Sequence, residues 1–600
     1  MKSWLFIVLA AASLASDARA RDLDIGWIER LPRMDYVEKP ADPRRDGWPA
    51  PGQIVTWRAH IRNWDGDAIS GVPYEWRLDG NVVAAGTFSV SANGTATVDL
   101  PWQWEFTRHS LTFEIDPSGI VEESEKGNDS LSVFTDSISV GFYVEQKTYD
   151  FFHRNQATLG VGSNSFEDFA QRQIAFINTM YAQAITLEAP QGVLDRWRLD
   201  EIVVVPDKSL PLVAPPWAGD VNGEAIDLPN LADRSVDVIY GFPDSSPAYG
   251  DDTGQSQGQA RFAVYDTNIR HELGHVRYLT DVYRYFIVND GSTRFVDITQ
   301  KGRPVAGTSL MPLEHTIQVY ATIEQGLMNS APGYLDRYSA GALNLIAGYR
   351  ARGPFGNTKA NDFLGAFQYD IPSGIRIRLV DPSGVPMAGA NVSYYRAHYA
   401  YVPGEAQAGY HYYDSPDFQA TADANGEVAF DGDPIVYPPD VQRIHYSNGL
   451  PVFLTGASII RVQTGSDTHF VYLDLPAVNR AFWRGEKDAA HFELVVGAWP
   501  CATVPVLQTP ASRAQVQAGG VSLSWSRTPG AAGYLVFASV DGGPDRVVTV
   551  TNEPSALVDF GSATNISWHV EAQFNQCIAS DSAISTFQTY TPPPRHRAVR

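Results

Sequence analysis

Apolar and polar positions along the chain follow two different periods. From Ile54 to Arg62, and again from Ile375 to Asp381, apolar and polar residues alternate. A period of two predicts strands with one face buried. Turn signals at Trp64-Asp65-Gly66-Asp67 and Leu78-Asp79-Gly80-Asn81 punctuate the first of these regions. Between the two regions the period changes. Phe166, Phe169, Ala170, Ile174, Ile177 and Tyr181 keep helical spacing over nearly five turns. Glu201 to Pro206 and Val236 to Phe242 then read as short apolar strands. Further on, Ile269, Leu273 and Val276 form an apolar stripe, with Asp266 or Thr267 as N-cap. The pattern predicts a multidomain chain in which an α/β domain is flanked by all-β sandwich domains.

Composition fits this picture. The 600 residues suggest about four domains. Aromatic residues make up 12%, and abundant Gly and Pro favour β-rich modules with many turns. The net charge of −23 argues against a nucleic-acid partner and against an anionic membrane surface. At the N-terminus, Lys2 precedes an apolar run from Trp4 to Ala15, too short to span a bilayer. Ala18-Arg19-Ala20 then offers a cleavage site. Residues 1–20 are therefore expected to be a signal peptide, which places the protein in the periplasm or outside the cell. No later stretch is long and apolar enough for a membrane span. In such a compartment Cys501 and Cys577 are expected to pair as a disulfide.

The chemistry concentrates in the helix carrying the stripe, which contains His271-Glu272-Leu273-Gly274-His275. Residues four apart share a helix face, so the two histidines can present imidazoles to one ion. Burying the opposite stripe turns them towards a cleft. Zinc accepts neutral imidazole and, for catalysis, keeps a water beside its three protein ligands. Glu272 stands where its carboxylate can take that water's proton.

This H-E-x-x-H segment, following helix, strand, strand and loop, resembles the zinc peptidases of the metzincin or a neighbouring clan. The resemblance implies a zincin-like metallopeptidase domain over 143–368, with Zn2+ as cofactor and a protein or peptide as substrate. His271 and His275 would be metal ligands and Glu272 the catalytic base. In metzincins the third ligand follows at the position of Asp281, but their helix-ending glycine is Tyr278 here. If the helix continued, Asp281 would lie about 15 Å along the axis from His271. Glu314, His315 and Glu324, around a helix-like stretch from Thr316 to Glu324, are the alternatives. A distant glutamate would resemble gluzincins or the immune-inhibitor-A type. Gly326-Leu327-Met328-Asn329-Ser330 resembles the Met-turn of metzincins, with a core methionine as the plainer reading. Tyr334 and Tyr338 follow, either as packing residues or as oxyanion donors.

The flanking regions resemble immunoglobulin-like modules. Residues 21–142 resemble the CARDB domain through Pro51-Gly52-Gln53, Arg62-Asn63-Trp64, Leu78-Asp79-Gly80, Asp116-Pro117 and Val121 to Asn128. The acidic run Glu122 to Glu125 reads first as a solvated loop, with calcium binding the alternative. Residues 369–500 resemble the carboxypeptidase-regulatory or transthyretin-like sandwich through Asp381 to Val392 and Thr421 to Val428. Residues 501–592 resemble a fibronectin type III domain through Val521 to Ser526, Gly533 to Val536 and Ile566 to Val570. Residues 593–600 form a tail. The expectation is a secreted zinc endopeptidase whose β modules contact cell surfaces or glycans. The alternative is a surface adhesion protein with an inactive or structural zincin-like domain. A carbohydrate-active enzyme would need a pair of acidic residues at a fixed separation, and no such pair stands out.

Overall fold

The computed structural model describes residues 22–32, 48–123, 126–159, 165–210, 225–226, 236–242, 333–348, 370–400, 409–436, 456–497, 503–561, 564–575 and 580–591. Between 269 and 328 it describes 269–271, 273–274, 277, 279, 282, 285–287, 297–298, 304–305, 317–319 and 326–328. The expected signal peptide, the two cysteines and the tail lie outside these residues. Among the described residues strands far outnumber helices. No described helix is long and apolar enough to cross a membrane.

The first module is a sandwich of two antiparallel sheets. One joins Leu23–Leu31, Ile54–Asn63 and Thr95–Gln103; the other joins Asn81–Val90, Ile69–Leu78, Ser110–Ile115 and Ser130–Phe134. The expected alternation holds in Ile54–Asn63, where Val55, Trp57, Ala59 and Ile61 are buried and their neighbours are not. Trp57, Trp76 and Phe113 fill the space between the sheets.

An α/β unit follows. Its sheet runs Ala225–Ile226, Val238–Phe242, Ile138–Glu145, Trp197–Val205, with the last three parallel and the first antiparallel. Ile138–Glu145 is buried throughout, as a central parallel strand must be. The border expected after residue 142 therefore falls inside this strand. The predicted helix appears as Phe166–Gln183, and every residue of its apolar stripe is buried. The Ser165 hydroxyl caps it by accepting from Asp168 N at 2.9 Å.

The third module has sheets Glu427–Asp431, Gly374–Val380, Ala490–Val495 and Phe418–Thr421, Asn391–Tyr395, Ala457–Thr464, Asp467–Asp474, with a helix at Leu475–Trp483. The fourth packs Leu507–Thr509, Gly520–Trp525 and Ser555–Asp559 against a larger sheet built on Asn565–Phe574. Trp525 and Trp568 occupy its core.

One expectation needs correction. Residues 317–319, within the stretch read as helix-like, form a strand paired antiparallel with Tyr285–Ile287. That pair extends a sheet of the third module, Ile287 standing opposite Tyr410. The segment after the histidine helix and the third module thus share one sheet.

The first module docks on the α/β unit through Leu23–Leu31. Gln171 Nε2 donates to Gly26 O at 2.8 Å, and Trp27 packs against the α/β core. Ser165 Oγ donates to Asp24 Oδ2 at 2.7 Å. Burial, and then the charge of Glu167, push the Asp24 carboxyl up to about 8. The folded state therefore keeps a proton that the unfolded chain releases above pH ~4. Stability from this group is complete at low pH and falls as pH rises towards 8. Asp24→Asn keeps an oxygen for Ser165 and removes the charge. The variant is expected to match the parent near pH 4 and to exceed it at pH 8 by roughly 1–4 kcal/mol. Urea unfolding at both pH values checks this, and a variant weaker than the parent at pH 8 would refute it.

Candidate metal centre

The histidine segment begins as expected. Residues 269–271 and 273–274 are helical, and Ile269 and Leu273 are buried in the α/β core. Arg270 lies over the ring of Phe176, 4.2 Å from its centroid, which ties this helix to Phe166–Gln183.

His271 is half-buried, and its ring is held from behind. Nδ1 lies 3.0 Å from the backbone carbonyl oxygen of Leu327. A carbonyl only accepts, so Nδ1 must carry the proton. In the neutral ring the lone pair is then on Nε2. This is the arrangement in which metal-binding histidines are oriented by a second contact.

The turn supplying that carbonyl sits directly under the helix. Leu327 and Met328 are buried, and a Cβ at Gly274 would lie 3.0 Å from Met328 Sδ. The glycine between the two histidines thus lets the turn approach. Leu327 N donates to Tyr334 O at 2.7 Å, which closes the turn. Met328 is at once a core residue and the floor of the histidine helix. Tyr338 is fully buried and tilted against Trp483, with ring centroids 5.2 Å apart. Tyr334 is half exposed.

The helix stops soon after the second histidine position. Leu279 N donates to Gly274 O at 3.1 Å, a six-to-one closure typical of helix ends, and it spans residue 278. Val282 N then donates to Met328 O at 3.1 Å, bringing the chain back to the turn. The helix therefore ends before residue 279, although no glycine stands at 278. A buried ion pair fixes this end. Arg277 Nη2 donates to Asp195 Oδ2 at 2.5 Å and to Ile346 O at 3.1 Å, and Gly348 N donates to Asp195 Oδ1 at 3.0 Å.

Of the residues expected in the site, His271 is described. Glu272, His275, Asp281, Glu314, His315 and Glu324 lie outside the described residues. Among the described residues, no three His, Cys, Asp or Glu side chains converge as a metal site. Sequence reasoning gives Gly274, Arg277 and Asp195 no role, and Leu327 one only as part of the stretch that resembles a Met-turn. Gly274 carried a signal, as a glycine inside a helical pattern. Leu327 acts through its backbone, and Asp195 is distant in the chain. Cys501 and Cys577 are also outside the described residues, but Ser580 Oγ donates to Thr503 O at 3.1 Å, so the segments next to them meet.

No family model matches the chain. No curated protein matches it either. Among solved structures, the CARDB domain of a Pyrococcus furiosus protein is 13% identical, covering 19% of this chain and 93% of that one, with a TM-score of 0.15. A human fibronectin type III domain is 22% identical over 16% of this chain and 75% of that one, at 0.12. The FN1–FN3 domains of chicken CNTN1 are 12% identical over 35% of this chain and 60% of that one, at 0.14. The neighbours are thus CARDB and fibronectin type III-like all-β domains, each matching a limited part of the chain. The sandwich assignments above rest on the sheets themselves rather than on these likenesses.

Proposed function

We propose that the protein is a secreted zinc-dependent endopeptidase. The observation that carries this reading is the His271 ring, whose Nδ1 is committed to the Leu327 carbonyl so that Nε2 bears the lone pair. A surface histidine in a chance motif has no need of a buried turn behind it. His271 and His275 would hold zinc. Asp281 is the first choice for the third ligand, supported by the early helix stop; Glu314, His315 and Glu324 are the alternatives. When bound, zinc lowers the pKa of its water and polarises the scissile carbonyl. Glu272 would take the proton of the attacking water and return it to the departing amine. The β modules would hold the site against a protein or peptide substrate, or against a cell surface or glycan.

The test is metal content alongside proteolysis of an unstructured protein such as casein. About one zinc per chain is expected, with activity lost on chelation and restored by added zinc. A chain that holds no zinc under these conditions overturns the proposal. The surface-adhesion reading would then take its place.

A further inference from the structure

The larger sheet of the first module ends on an open strand. Asn81–Val90 is the outermost strand of the sheet that continues through Ile69–Leu78, Ser110–Ile115 and Ser130–Phe134. Its backbone pairs with Ile69–Leu78, and among the described residues no other strand lies along its outer side. The strand has ten residues and carries no charge and no proline. Val82 and Val83 are each 49% exposed, and Ala85, Gly86 and Thr87 are exposed as well. Edge strands are commonly guarded by charged side chains, proline or a bulge, because their outward N–H and C=O groups template further pairing. Here the guard is a bulge at Val83, where Val82 stands opposite Arg77 and Ala84 opposite Trp76. From Ala84 to Val90 this strand has no extra residue.

Both faces of the strand suit a continued sheet. Inward, Phe88 and Val90 are buried, and the Tyr74 ring covers Gly86, where a Cβ would lie 2.9 Å from the Tyr74 hydroxyl. Ala85, Thr87 and Ser89 alternate with these and face outward. The charges on the adjoining strands are compensated where they stand, since Arg77 pairs with Glu75 and with Glu114. The far edge of the sheet is covered. The carbonyl of Phe134 accepts from Arg198 Nη1 at 3.5 Å, and its ring lies under Arg196, both from the α/β unit.

We propose that Asn81–Val90 pairs antiparallel with the same strand of a second copy of this chain, joining two four-stranded sheets into one of eight strands. A net charge of −23 makes two copies repel over most of their surfaces, and this strand lets them meet with no like charges opposed. Other long edge strands carry charge, as Asp99 does in Thr95–Gln103 and Asp200 and Glu201 do in Trp197–Val205. An antiparallel strand is its own complement about a two-fold axis, so each copy satisfies the other's outward N–H and C=O groups. With the far edge covered, the pairing closes at two chains instead of growing into a fibre. One strand pair is a small interface, so the dimer is weak and exchanging. The inference does not rest on the zinc reading.

The experiment sediments the full chain to equilibrium from about 1 to 200 µM, a range that spans a weak interface, and measures backbone hydrogen exchange at both ends of it. The average mass is expected to rise from one chain towards two, with the amides of Asn81–Val90 gaining protection in step. Ala85→Lys and Thr87→Lys each bring two ammonium groups into the pairing and should weaken association by about tenfold or more. Both positions are exposed, so the unfolding temperature of the monomer should be unchanged. A chain that stays monomeric over this range overturns the proposal. So does a dimer that both lysine variants leave undiminished, one whose newly protected amides lie outside Asn81–Val90, or an assembly whose mass passes two chains.

Discussion

Replacing Glu188 by alanine is expected to destabilise the protein by about 3–5 kcal/mol, the usual cost of removing one partner from a buried ionic cluster. Glu188 follows the helix Phe166–Gln183, and its side chain is 3% exposed. Arg337 reaches its two oxygens at 3.0 and 3.2 Å, Arg484 at 2.9 Å, and Arg480 lies at 3.5 Å. These arginines belong to different parts of the chain. Arg337 opens the helix that follows the Leu327–Met328 turn, and its Nη1 donates to Phe574 O of the fourth module at 2.9 Å. Arg480 and Arg484 come from the third module, and Arg480 Nη2 reaches Asn575 Oδ1 at 3.3 Å. Gly341 lets the Arg337 helix come close, since a Cβ there would lie 2.9 Å from Glu188 Cβ. One carboxylate therefore joins three units, and its loss leaves three cations facing one another.

Acid should reproduce part of the same effect. Burial alone would raise the Glu188 carboxyl, but Arg337, Arg480 and Arg484 outweigh it and hold the group at about 2. A depressed carboxylate contributes its stability above its unfolded value of 4.5 and loses it as pH falls towards 2. Guanidinium unfolding of parent and Glu188→Ala should thus differ most at pH 7 and converge near pH 2. A difference below 1 kcal/mol at pH 7 would show that the cluster contributes little net stability.

The parts of this fold that were legible in the sequence are those whose packing is local and periodic. Phe166–Gln183 buries the stripe its spacing predicts, together with its first turn and Gln173, and Ile54–Asn63 buries every second residue. Ile138–Glu145 obeys no alternation because both its faces are covered, and so the border drawn after residue 142 cut through it. Ile317–Val319 has too few residues for a period, and its strand state depends on Tyr285–Ile287 and, beyond that, on the sheet containing Tyr410. The candidate site divides the same way. The histidine spacing is a local pattern and could be read directly. The carbonyl of Leu327, the Arg277–Asp195 pair and the arginines around Glu188 are brought together only by folding. Their sequence neighbourhoods give no hint that these charges are buried.

The same contacts bear on the second large expected effect. On the zinc-endopeptidase reading proposed above, Glu272→Gln should cut kcat/KM for peptide hydrolysis by about 10²–10⁴, the usual contribution of a general base, while zinc stays near one per chain. Glutamine keeps the size and polarity of the side chain but cannot accept the water's proton. The His271 ring should be untouched, because its orientation comes from Leu327 O and from the packing of Gly274 on Met328. The loss should appear in kcat, with KM nearly unchanged, since the proton moves in the transition state and not on binding. The acidic limb of the pH profile, which reports ionisation of the base, should also disappear. A variant that kept its activity within tenfold and retained that limb would place the base on another residue. A variant that lost its zinc would instead make Glu272 part of the binding site, and the division of labour between it and the two histidines would have to be redrawn.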